Sequence, residues 1–443
     1  MPADISFLRK PPPVYLIGAS LVIQDARTII PSGGLLVRDR IVEEVCTFKA
    51  LRTEHSSSFY RFLPDSIILP GLVNAHAHIE LSSLGPLNGS QNGFVPWLID
   101  LVRRRALISP GARSAGFRMG LNSILASGTT SIGDIASFGF PAESLDIPAR
   151  RSYLARSGLR TLTLIEALGL DPSQARDRAA ALDNRIQENA RPVSPFRRLR
   201  FGVSIHAPYS VSDDLASSVA RLARRRSLPI AAHLLETPFE RNVPRRRPAF
   251  REYCAAFGWD PAWLDDRPSS PIEWLDRHHL LTPNTLAIHG IHLNQREMTA
   301  LARRRISLVL CPRSNLYLHD RLPPVRELVG RGVPLAIGTD SLASNFSLSL
   351  WDEIRALHER FPEIPPSRLF EIATAGGAAA LGLAGRVGVL HAGYCADFTV
   401  LRPPFRVDTE RRLFYNLIRS AQDAHVQGVV TDGRLRFQRT IQP

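Results

Sequence analysis

No stretch of this 443-residue chain reaches the roughly 18 consecutive apolar residues that a membrane-crossing helix needs. From Met1 to Lys10, acidic and basic residues stand where a secretory leader would carry its apolar stretch, so no leader is expected. Cysteine is scarce as well. Cys46, Cys254, Cys311 and Cys395 lie far apart and form no Cys-x-x-Cys pair. That excludes a disulfide scaffold and reads as buried thiols in a reducing compartment, the cytoplasm. Lysine is nearly absent: of 55 basic residues only Lys10 and Lys49 are lysines. What is present is ordinary for a globular protein, 44% apolar and 22% charged, which rules out collagen, a long coiled coil and wholesale disorder.

The net charge of +14 would normally raise nucleic acid or an anionic membrane as partner. The arginine runs at 103–105, 224–226 and 303–305 are separate, however, and two of them close helix-like segments just before apolar strands. There they complement the helix dipole and keep their heads in water. No continuous basic stripe with interleaved aromatics exists. A basic nucleic-acid-binding protein, with its folded body as mere scaffold, is the reading from a different class; it predicts steeply salt-dependent binding and no need for metal. The expected partner is a small molecule rather than nucleic acid or membrane, and a homodimer is the expected assembly.

The informative regularity is alternation. From residue 66 onward eight apolar runs recur, at 67–75, 130–135, 160–166, 200–205, 228–232, 286–288, 306–310 and 334–337. Amphipathic segments such as 213–226, 295–305 and 324–331 lie between them. Strands alternating with helices make parallel βα units, and eight units predict an α/β fold, a closed (β/α)8 TIM barrel. The ends read differently, as short strands and turns at 14–17, 21–23, 34–37 and 41–44, and again at 397–401, 424–431 and 434–437. Neither end has material for its own core. The expectation is a composite β-sandwich from residues 1–69 plus 390–443, appended to a barrel over 70–389. Two irregular segments, 85–94 and 237–271, follow predicted strands and are candidate lids over the site.

Histidines gather at the strand ends. His76 and His78 stand in Gly71-Leu-Val-Asn-Ala-His76-Ala-His78-Ile-Glu80, where period-two alternation turns both imidazoles the same way. Alone such a pair is weak evidence. His233 ends the fifth run, His289 the sixth and Asp340 the eighth. In a barrel all C-terminal strand ends meet at one rim, so five metal-competent side chains converge there. Glu236, three residues after His233, can reach back to move a proton between water and substrate. His206 ends the fourth run, in Ser204-Ile-His206-Ala-Pro-Tyr209, and reads as a polar substrate contact. Ser314 and Asn315, in Cys311-Pro-Arg-Ser314-Asn315, read likewise.

These motifs, together with His233-Leu-Leu-Glu236, His289 and Gly338-Thr-Asp340-Ser-Leu-Ala-Ser-Asn345, resemble the amidohydrolase superfamily. Within it they resemble the aminohydrolase branch of cytosine, guanine, adenosine-type and S-adenosylhomocysteine deaminases. The resemblance runs from about residue 13 to about 435. It implies metal ligation by His76, His78, His233 and Asp340, with Glu236 as proton shuttle, Asp340 and His289 positioning the attacking hydroxide, and His289 alternatively polarising the substrate. Many binuclear members bridge two metals with a carbamylated lysine; with no lysine after Lys49 that bridge cannot form. One divalent ion is implied, zinc or alternatively iron.

The implied reaction is hydrolytic deamination of an aminopurine nucleoside or related N-heterocycle. His78-Ile-Glu80-Leu-Ser, Gly93-Phe-Val-Pro-Trp97 and Ser270-Pro-Ile-Glu-Trp-Leu275 resemble bacterial 6-aminodeoxyfutalosine deaminases of menaquinone synthesis, which adds Trp97 to the expected substrate contacts. Adenosine, S-adenosylhomocysteine, methylthioadenosine, guanine and cytosine are competing substrates, and chlorohydrolase or cyclic-amide hydrolysis is a competing reaction. Glu80 reads either as a contact to a ribose hydroxyl or ring nitrogen, or as a brace for the metal histidines.

Overall fold

The computed structural model describes residues 4–88, 93–137, 147–189, 198–241, 248–264, 268, 270–407 and 412–439. The candidate lids at 85–94 and 237–271 thus fall partly outside the described residues.

Two sheets organise the chain. The first comes from the termini: β1 (Val14–Ile23), β2 (Ile29–Pro31), β3 (Gly33–Arg38), β4 (Ile41–Thr47) and β5 (Phe59–Pro70). The second is the barrel: β6 (Leu72–Ala77), β7 (Thr129–Ser137), β8 (Arg160–Ala167), β9 (Leu199–Ile205), β10 (Ile230–Leu234), β11 (Thr285–His289), β12 (Ser307–Leu310) and β13 (Leu335–Ile337). The chain then returns to the first sheet with β14 (Phe398–Leu401), β15 (Val426–Thr431) and β16 (Arg434–Gln438). The terminal sheet runs β16-β15-β14-β5-β1-β3-β4, with β2 beside β1, so strands from both ends of the chain are interleaved. Tyr15, Ile17, Leu35, Ile68, Phe398 and Val430 share its core. No helix among the described residues is long and apolar enough to cross a membrane.

The expected barrel is there, strand for strand. β6 to β13 pair in sequence order, all parallel. The ring closes where the Thr339 and Asp340 N–H groups donate to the His76 carbonyl at 3.0 and 3.1 Å. Leu162, Leu164, Ala231, Leu286, Ile288 and Val309 meet in one apolar cluster from four strands.

Some boundaries differ from expectation. The run at 67–75 is two strands, since β5 belongs to the terminal sheet and β6 to the barrel. The break is Gly71, whose Cβ, were there one, would lie 2.2 Å from the Thr130 side chain. The two short runs at 14–17 and 21–23 are a single strand, β1. The helix Phe48–Glu54 was not expected at all. The amphipathic segment 213–226 is a helix over that whole span, Asp213–Arg226, capped at its start by the Ser212 hydroxyl. Solvated arginine runs are only part of the truth, because Arg105 is buried along with Arg150 and Arg160. Of the four free cysteines three are buried, while Cys46 is half-exposed.

Candidate active site

The ends of β6, β10, β11 and β13 bring polar groups to the C-terminal rim. The Nε2 atoms of His78 and His233 lie 3.4 Å apart. Asp340 Oδ1 lies 3.6 Å from His76 Nε2 and 3.8 Å from His78 Nε2. The His76 ring sits 5.1 Å from His233 and 6.0 Å from His289, centroid to centroid. The structure therefore brings His76, His78, His233, His289 and Asp340 together, as the spacing predicts.

The orientation of each group is held from outside the cluster. His233 Nδ1 donates to the His206 carbonyl at 2.7 Å, which leaves Nε2 with its lone pair toward the cluster. Asp340 Oδ2 accepts from the hydroxyls of Ser314 at 2.5 Å and Ser344 at 3.1 Å, so Oδ1 is the oxygen left for the histidines. His289 Nδ1 bonds Asn315 Oδ1 at 2.8 Å, and its Nε2 faces Glu236 Oε2 at 3.8 Å. Close strand approach helps too, since a Cβ on Gly338 would lie 2.6 Å from the His76 carbonyl oxygen. His289 and Asp340 take left-handed backbone, φ +72° and +57°, which non-glycine residues adopt at a cost and which clusters at functional sites.

The charge states follow from burial. Burial pushes the imidazolium form of His78 down to about 3, and His76 adds to it. His76, His206 and His233 are lowered for the same reason, His206 to about 4. Burial raises Asp340, but the neighbouring His76, with His289 and His78, holds it well below the usual carboxylate range. Neutral imidazoles around an ionised carboxylate are a donor set for a divalent cation. Both ring nitrogens of His76 are buried without a hydrogen-bond partner among the described residues, which a structural histidine rarely tolerates.

Glu236 lies 91% buried beside this cluster, between two imidazoles. His319 Nε2 meets its Oε1 at 3.3 Å. Burial raises Glu236, yet His289 and His319 outweigh it and the net shift is downward. The loop carrying Glu236 is fixed by Glu240, whose carboxylate accepts the N–H groups of Leu235, Glu236 and Thr237 at 2.7, 2.6 and 3.2 Å.

Of the expected substrate contacts, His206 and Trp97 line the cavity over the cluster, with Phe94 and Tyr209. Three others are placed elsewhere. Glu80 is turned away into ion pairs with Arg105 and Arg150, each at 2.8 Å, and Arg150 also grips Asp134 at 2.5 Å. Ser314 and Asn315 are fully buried and spend their side chains on Asp340 and His289. Their runs sit at the rim, but the helix Pro312–His319 that begins there carries these side chains behind the cluster. His319 was missed because its helix, not its neighbours in sequence, brings it to Glu236. The larger cavity of about 860 Å³, lined by Arg38, Arg386, Cys395 and Arg434 among others, lies in the terminal sheet and gathers no such donor set.

Residues 67–436 match the amidohydrolase family. The chain is 30% identical to a 5-methylthioadenosine/S-adenosylhomocysteine deaminase of Nitratidesulfovibrio vulgaris, over 89% of this chain and 85% of that one. It is 26% identical to an aminodeoxyfutalosine deaminase of Nitratiruptor sp., over 86% and 90%. Among solved structures, the fold is similar to an adenosine deaminase from Xanthomonas campestris with bound zinc, with a TM-score of 0.77 at 24% identity, covering 97% of this chain and 94% of that one.

Proposed function

This chain belongs to the amidohydrolase family, and from that membership we propose that it is a single-metal hydrolytic deaminase of a 6-aminopurine nucleoside. The observation that carries the reading is the meeting of His76, His78, His233 and Asp340 beside a buried Glu236 and His289. His76, His78 and His233 through imidazole nitrogen, and Asp340 through Oδ1, are the residues that would hold the ion. When bound, a divalent ion of this kind supplies Lewis acidity that lowers the pKa of a water toward ~7. Three imidazoles and a carboxylate suit zinc and iron alike, and zinc is our reading.

The chain's own residues account for the proton traffic. Glu236 takes a proton from the attacking water and delivers it to a ring nitrogen as the new C–O bond forms at the amine-bearing carbon. The pair of electrons from the C=N bond goes to that nitrogen. Glu236 then takes the proton of the new hydroxyl and passes it to the exocyclic amine; the C–N bond breaks, the oxygen closes to C=O, and ammonia leaves. His289, held by Asn315 through Nδ1, directs Nε2 at the developing oxyanion. Leu81, Phe94, Leu98 and Leu101 line the cavity with apolar surface that excludes bulk water.

The relatives' names supply the substrate class, a nucleoside carrying an amine on its purine. 6-Aminodeoxyfutalosine, 5′-methylthioadenosine and S-adenosylhomocysteine are the first compounds to assay. The experiment is ammonia release from that panel by wild type and Glu236→Gln. A drop of about 10²-fold or more is expected in the variant. An undiminished rate removes Glu236 from the reaction. Chloride or a new carboxylate as product would replace deamination with the chlorohydrolase or cyclic-amide reaction.

A further inference from the structure

The chemistry above leaves one buried carboxylate at the rim unused. Glu166 stands in β8 two residues beyond Leu164, and Leu162 and Leu164 belong to the cluster inside the barrel. Period-two alternation continues that inward row to Glu166. Ser137 lies opposite it in the β7–β8 register. Glu166 is only 2% exposed, the charge of Arg105 acts on its carboxylate, and Oε1 is buried with no hydrogen-bond partner among the described residues.

That carboxylate does not stand alone. One oxygen of Glu166 and one ring nitrogen each of His206 and His233 lie within 4.8 Å of one another. His206 Nδ1 is engaged by the Ser210 hydroxyl at 2.7 Å, and His206 lines the cavity. Trp97, lining the same cavity, has a buried Nε1 that likewise lacks a partner. A buried acceptor and a buried donor left unpaired beside a reaction site are costly unless a ligand completes them.

The chemistry of the substrate says which part completes them. A 6-aminopurine nucleoside has few donors. Its N1, N3 and N7 only accept, and N9 carries the sugar. The exocyclic amine must face Glu236 and the histidine–Asp340 cluster to be displaced. The sugar hydroxyls are the donors that remain for the carboxylate that lies beside His206, which lines the cavity. We propose that Glu166 accepts the sugar hydroxyls of the nucleoside, with the Trp97 N–H on an acceptor of the same molecule. The site thereby selects ribonucleosides over sugars stripped of those hydroxyls. This assignment rests on the nucleoside deaminase reading above.

The test compares kcat/KM for adenosine and 2′,3′-dideoxyadenosine in wild type, Glu166→Gln and Glu166→Asp, each loaded with zinc. Wild type should favour adenosine by roughly 5- to 100-fold, the cost of leaving a buried acceptor without its donor. In Glu166→Gln the ratio should fall toward one. Preference undiminished in a folded variant, or absent from an active wild type, overturns the role of Glu166 and leaves the deaminase reading standing. Wild type that releases ammonia from no nucleoside overturns both. The wild-type ratio needs no variant, so a misfolded Glu166→Gln does not remove the test.

Discussion

Replacing Arg150 by methionine is the sharpest test of how the metal-cluster turn is held. The Arg150 side chain is 2% exposed and donates to Asp134, to Glu80 and to the Ile135 carbonyl. Glu80 follows His78 by two residues, and Asp134 accepts the Ile79 N–H at 3.3 Å. Methionine fills much of the volume but strands buried carboxylates. Breaking a buried pair from one side costs about 3–5 kcal/mol. With an unfolding entropy of roughly 2.1 cal/mol/K per residue, a chain of this size should lose about 3–5 °C in Tm. The loss depends on pH. Burial already raises Asp134 to about 6 against the pull of Arg150, whereas Glu80, answered by Arg105 as well, is lowered despite its burial. In the variant both carboxylates rise. A group raised in the folded state contributes stability below its unfolded pKa and loses it as pH climbs through the folded value. The deficit against wild type should therefore be small near pH 4 and largest near pH 8. Arg104→Met is the control, because the Arg104–Asp100 pair is exposed and such pairs contribute about 0–1 kcal/mol. Calorimetry at pH 5 and pH 8 reads the difference, and Glu80→Gln added to Arg150→Met should recover part of it. Equal Tm shifts for Arg150→Met and Arg104→Met would refute the reasoning.

Two further expectations concern the site. Dialysis against a zinc chelator should abolish ammonia release and, for an ion at about 1,000 times its Kd, withdraw roughly 4 kcal/mol of stability; full activity in metal-free protein, verified by elemental analysis, would contradict the ligand set. His319→Ala should lower kcat several-fold with little change in KM, since His319 touches Glu236 and does not line the cavity, while His319→Gln, which keeps a donor, should retain most of the rate; steady-state kinetics that show both variants at wild-type kcat would free Glu236 from His319.

How much of this was legible beforehand follows from what a barrel does to distance. Parallel strands of similar length finish at one rim, so a histidine at the end of a run has a known address whatever lies between the runs. His76, His233, His289 and Asp340 could be placed together for that reason alone, and eight apolar runs were enough to say so. The same rule could have found Glu166, because 160–166 was read as a run and Glu166 closes it. A glutamate at a strand end carries no distinctive signal, whereas histidine is the residue type that announces a metal.

What the rim rule cannot reach is the support behind the rim, since that support comes from helices whose rotation the strand pattern does not encode. Arg105 and Arg150 sit in the helices Phe94–Leu107 and Ile147–Ser157, and nothing in their local pattern tells them from arginines in water. Ser314 and Asn315 show the converse error. Their position after β12 suggested contact with substrate, but one helical turn carries them behind Asp340 and His289. Their substitution should therefore act on the geometry of Asp340 and His289, not on substrate affinity. Asn315→Leu, which removes the acceptor from His289 Nδ1, should lower kcat by roughly 10-fold while KM stays near wild type, because the lost interaction is one that orients a group toward developing charge. A rise in KM at constant kcat would instead return Asn315 to the list of substrate contacts, and with it the simpler picture in which every polar residue at a strand end faces the ligand.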